Sequence, residues 1–148
     1  MTILVHTARL SPALRGRSDV LDITRKSGCA LGRLFAPSWK ILGPGLEARK
    51  RAAALRERSV DLDALSDEAV RIEREAWEAY VPAYTAEMRE SYRCHRARWN
   101  ELLARESVTL VCYCPGKPPA LRCHRVLLAE ILVKLGATYA GEAGHSMS

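Results

Sequence analysis

Phenylalanine occurs once in the 148 residues, and all aromatic residues together make up 6%. That scarcity leaves no ring-stacking motif of the kind on which single-stranded nucleic acid is held. Also missing is any apolar run near the ~18 residues that a membrane span needs, so no membrane partner is expected. The opening MTILVHTAR has a three-residue apolar core and no small-residue cleavage pattern, which argues against a secretory signal. Five cysteines are an odd number, and without an export signal they argue against a disulfide framework. Free or metal-bound thiols in a reducing cytoplasm are the expectation. Internal repeats and low-complexity segments are lacking as well.

What is present fits an ordinary globular protein, with 48% hydrophobic and 27% charged residues. The length predicts one domain, taken as residues 1–142, followed by a mobile tail over 143–148. The net charge is +6 and unevenly spread. Residues 1–60 carry twelve Lys/Arg against four Asp/Glu, whereas residues 61–106 carry seven against eleven. A basic N-terminal third suits an anionic partner such as phosphate, nucleotide or nucleic acid.

Short β-branched runs at Ile3–His6 and Asp19–Thr24 read as strands. About a dozen residues separate them, enough for a short crossover helix or for a long loop between antiparallel neighbours. The glycine- and proline-bearing segment Arg25–Gly45 reads as loop, and Glu47–Arg58 as a helix with a basic face. Helical spacing continues from Ser66 through Trp99, and Pro82 is expected to divide it into helices over about 66–80 and 83–104. Tyr80, Tyr84, Tyr92 and Trp99 on this stretch are read as core. Ser107–Cys112 is a near-continuous apolar strand of the kind covered on both faces. A helix apolar almost all round follows over about Arg122–Leu135, with Gly136 as its cap and a last short strand at Ala137–Tyr139. The order predicts a compact three-layer α/β domain with a small, mostly parallel sheet.

The stretch Cys112–Arg125, CYCPGKPPALRCHR, carries three of the five cysteines at a strand–helix junction. Ligands of open α/β sheets bind outside the carboxyl ends of the strands, near helix N-termini. If the strand ends converge, His6, Thr24, Arg25, Cys114, Arg122 and Arg125 line a basic pocket with Cys123 and His124 in the first helical turn. A helix dipole and nearby cations lower a thiol pKa, which makes Cys123 a candidate nucleophile with His124 or His6 as its helper. Four readings of the stretch compete. They are a cradle for an anion, a thiol catalyst, a zinc site, and small core residues packed at a loop. The zinc reading has enough soft donors, but adjacent Cys and His on a helix point apart, so no metal ligands are assigned. No cofactor is assigned either.

The run VTLVCYCPGKPPALRCHRVLLAEIL resembles the C-terminal signature of a bacterial and phage family, domain of unknown function 488. LDITRKSG with FAPSW resembles that family's second strand and the clause after it, and the aromatic region around Tyr80 and Tyr84 fits a third part. The resemblance implies site positions at Arg25, Cys112, Cys123, His124 and Arg125, without implying a reaction. Two departures stand out: Cys114 replaces the acidic residue of the family pattern, and the loop before Cys123 is longer and richer in proline. The leading expectation is a small cytoplasmic protein that binds a phosphate-bearing or other anionic ligand at the Cys-His-Arg turn, with thiol chemistry at Cys123 as an added step. A nucleic-acid- or protein-binding accessory factor and a structural zinc protein are the alternatives.

Overall fold

The computed structural model describes residues 2–14, 16–58, 62–114 and 121–143. Its elements run β1 (Leu4–Arg9), a 3-10 turn (Pro12–Leu14), β2 (Val20–Asp22), α1 (Ala30–Arg33), α2 (Trp39–Glu57), α3 (Leu62–Cys94), α4 (Arg96–Leu103), β3 (Ser107–Cys112), α5 (His124–Lys134) and β4 (Thr138–Glu142). The class is α/β, as the sequence predicts. By contacts the chain divides into two compact units, Met1–Ala36 with Met88–Ser148, and Pro37–Glu87.

The first unit holds the sheet. Its four strands are ordered β2-β3-β1-β4, and every neighbouring pair is parallel. The close spacing of β1 and β2 is therefore not a hairpin: β3 lies between them, and the described residues of the short connection include a 3-10 turn and no longer helix. β3 is buried along nearly its whole length, as an apolar strand at the centre of a parallel sheet must be. Its partner β1 runs three residues further than the sequence suggests, to Arg9, which lies opposite Cys112. Consequently His6 and Thr7 sit within the strand rather than at its end.

Helix α5 packs on β1, β3 and β4, which explains why it is apolar almost all round. Behind it Gly136 takes φ +110°, the left-handed conformation that ends helices with least strain on glycine. The last strand is longer than expected. Gly141 and Glu142, beyond the strand end expected at Tyr139, belong to β4, and Ala143 N–H still donates to Thr7 O at 2.6 Å. The remaining tail, 144–148, lies outside the described residues, as does the proline loop over 115–120.

Two helix boundaries differ from the sequence reading. Pro82 does not divide the helix; α3 runs through it from Leu62 to Cys94, and the break falls at His95, whose φ −125° and ψ 39° are not helical. Propagation of a long helix tolerates one missing bond when its side chains bury well, and Tyr84 and Met88 just beyond Pro82 are almost fully buried. Similarly, α2 begins at Trp39, so Gly43, Pro44 and Gly45 are helical and not loop. Within the second unit, Glu87 accepts the Ser38 N–H at 2.9 Å and so caps α2 from α3. In the first unit Trp99 is fully buried, edge-on to both Phe35 and Tyr92, with its indole N–H donating to Ser91 Oγ.

Candidate functional site

Cys123 lies before the first turn of α5, not inside it. As the N-cap it has extended backbone, φ −149° and ψ 151°, whereas His124 is the first helical residue. That change of conformation removes the helical offset that would send their side chains apart. Cys123 Sγ comes within 3.6 Å of His124 Nδ1 and within 2.8 Å of Cys112 Sγ. Cys112, at the end of β3, is 1% exposed, Cys123 2% and His124 5%. Leu121 completes this buried cluster, and the half-buried Cys114 and Val126 pack against it.

His124 Nε2 lies 2.8 Å from Ile23 O. A carbonyl only accepts, so Nε2 carries the proton and Nδ1 presents its lone pair to the thiols. Burial holds the His124 pKa below its ordinary value, which keeps the ring neutral.

Arg125 is the most completely buried charge in the described chain, at 0% exposure. Its guanidinium donates from Nη2 to Glu142 Oε2 at 2.6 Å, from Nη1 to Cys114 O at 2.9 Å, and from Nη1 to Cys112 Sγ at 3.1 Å. Burial works against its charge, but the hydrogen-bonded Glu142 and the neighbouring thiols outweigh it and raise the pKa further. Glu142 itself escapes a reading of the sequence that ends the last strand at Tyr139. Its signal is only that β4 must extend far enough to bring a carboxylate opposite a buried arginine.

These contacts correct the picture of a thiol facing a pocket. Cys112 is held up at about 11 by its hydrogen bond with the Cys114 thiol and by burial, a shift that the Cys123 thiol partly offsets. Cys123 is pushed well above its ordinary value by burial and by the other two thiols. The helix N-terminus and the nearby cation, which favour a thiolate, are outweighed by the loss of water. Arg125 likewise is a structural fork in the interior and not part of a solvent-facing cradle.

The remaining residues of interest separate by exposure. Thr24 is buried, its hydroxyl and N–H both donating to Asp22 Oδ1. His6 is half-buried in mid-strand, opposite Thr109 on β3. Arg25 and Arg122 are exposed, one just past the end of β2 and the other just before α5. Arg9, which closes β1, and Lys26 are exposed as well. The connections out of β1 and β3 run in opposite directions across the sheet, so their carboxyl ends flank a switch point in strand order.

Comparison with curated proteins and with solved structures finds no match. A family model described as the active DUF488-N3 subclade, DUF488-N3a, matches residues 62–136. The match takes in β3, α5 and the residues Cys112, Cys114, Cys123, His124 and Arg125, but not Arg25 or Glu142. It spans half of the chain, and on that ground the chain belongs to the DUF488 family.

Proposed function

We propose that this protein binds a phosphate-bearing ligand at the carboxyl edge of its parallel sheet, between the ends of β1 and β3. The observation that carries the reading is the placement of four exposed cations there: Arg9 ends β1, Arg25 and Lys26 follow β2, and Arg122 precedes α5. Strand order supports it, because the connections from β1 and β3 leave in opposite directions, the topology at which open α/β sheets place their ligands. Arginine forks match phosphate oxygens in pairs, and the first turn of α5 adds the positive end of a helix. In this reading the buried Cys123–His124–Arg125 turn is the frame that fixes the edge, and Cys123 is not a nucleophile. The subclade description "active" is compatible with a reaction on the bound ligand, whose class the cations alone do not specify.

The test is a thermal-shift screen at low salt with inorganic phosphate, pyrophosphate and nucleoside mono-, di- and triphosphates. At least one should stabilise the protein in a saturable way, and the Arg25→Ala/Arg122→Ala double variant should weaken its binding by roughly tenfold or more. Stabilisation by no anion, or equal affinity in the double variant, would contradict the proposal.

A second reading has its own observation. On α2, Lys40, Arg49, Lys50 and Arg51 are exposed, and Trp39 at its start is 56% exposed. A basic row beside an exposed indole suits nucleic acid. A gel shift that weakens steeply with salt and is lost on Lys50→Ala/Arg51→Ala would support it; no shift at low salt would remove it.

A further inference from the structure

We infer that Cys112, Cys114, Cys123 and His124 form a closed binding site for a soft divalent metal ion, zinc foremost. The geometry comes first. Cys112 Sγ, Cys123 Sγ and His124 Nδ1 all lie within 4.8 Å of one another, and all three residues are buried. The half-buried Cys114, two residues from Cys112, packs against the same cluster and can offer a fourth soft donor. Three sulfurs and one imidazole nitrogen are a donor set of structural zinc sites, and such sites leave no position open to water.

The surroundings point the same way. A histidine that ligates a metal through one nitrogen holds its ring by donating from the other, commonly to a backbone carbonyl. His124 is in that state: Nε2–H goes to Ile23 O at 2.8 Å, and the Nδ1 lone pair faces Cys123 Sγ. Apolar packing does not require this tautomer. Arg125 provides the second part of the shell. Its Nη1 donates both to Cys112 Sγ and to the carbonyl of Cys114, so one guanidinium holds two of the donor residues in place. A cation there also offsets the charge that builds up when three thiols become thiolates around a doubly charged ion. The balance is simple: the ion enters, three thiol protons leave to solvent, and no electron moves.

The spacing C-x-C followed by adjacent Cys-His is unsuited to a tetrahedron only if Cys123 is helical. Its extended N-cap backbone lets neighbouring residues converge on one ion. The ion would join the end of β3 to the start of α5. This inference is independent of phosphate binding at the sheet edge, and either stands if the other fails.

The full-length chain, expressed with added zinc and purified without chelator, decides the matter by elemental analysis. About one zinc per chain is expected. Cobalt substitution should give thiolate charge-transfer and tetrahedral d–d bands. Removing the exposed thiols in Cys29→Ser/Cys94→Ser should leave metal content unchanged, while Cys123→Ser abolishes it. Because a buried variant can fail to fold, Cys114→Ser is the companion test: with a native circular dichroism spectrum it should bind zinc at least about tenfold more weakly and show a reduced cobalt charge-transfer band. A metal-free wild type after zinc-supplemented expression would overturn the inference. So would cobalt bands without thiolate character, or undiminished affinity in folded Cys114→Ser.

Discussion

Arg125 forms an ion pair with Glu142 in which the partners are 0% and 6% exposed. Such pairs cost desolvation to assemble, and the larger penalty comes from breaking them on one side. Arg125→Met should therefore cost about 3–5 kcal/mol in urea denaturation, since it leaves the Glu142 carboxylate buried and two sulfur- and carbonyl-bound donors missing. Adding Glu142→Leu to that variant should recover a substantial part of the loss. A double variant no better than the single one would mean that Arg125 matters through Cys112 and Cys114 rather than through its carboxylate. His124 gives a pH dependence of definite sign. Burial holds its folded pKa below the ordinary histidine value of about 6.5, so the unfolded chain binds the proton more readily. Stability is full above about pH 6.5 and falls as the pH drops below it, the direction linkage requires of a base buried neutral. Denaturation at neutral pH and at mildly acidic pH measures this slope, and His124→Gln should flatten it.

Elements show where propensity was overridden. Pro82 is exposed inside α3, where it denies the helix one backbone bond and crowds the carbonyl of Glu78. Because the helix already follows its helical course, Pro82→Ala should stabilise the protein by about 1–3 kcal/mol, read as a higher unfolding midpoint. An unchanged or lower midpoint would show that the proline restricts the unfolded chain more than it strains the fold. Gly32 is the reverse case. Here α1 meets β2 so closely that a Cβ at residue 32 would sit 1.9 Å from the Asp22 carbonyl oxygen. Gly32→Ala should cost at least about 2–3 kcal/mol or prevent folding, since backbone is what must move. β3 was legible from its sequence to the residue, because a continuous apolar run bounded by polar residues has one natural reading. The α2 start and the unbroken α3 were not: Gly43, Pro44 and Pro82 carry local signals for a break, and only tertiary burial outweighs them. For the Cys-His pair the obstacle was conformational. Nothing in CHR alone tells whether the cysteine is the cap or the first turn, and the convergence of its thiol with His124 depends on that.

For the whole molecule, charge is the legible feature and its location is not. The basic N-terminal third supplies two separate cationic regions. Arg9, Arg25 and Lys26 stand with Arg122 at the sheet edge in the first unit, and Lys40 to Arg58 lie along and just beyond α2 in the second. Within the first unit the parallel sheet gathers three strand ends and the start of α5 at one edge, which places Arg122 on the same edge as cations far from it in sequence. We propose that an anionic ligand is held at that edge, above a buried turn that positions it without reacting. The measurement that tests it most directly is an amide-resolved NMR titration with pyrophosphate at low and at physiological salt. Saturable shifts confined to the residues around Arg9, Thr24–Lys26 and Arg122–Val126, and retained at physiological salt, are the expected result. Shifts that map instead to α2, or that never saturate and vanish with salt, would contradict it.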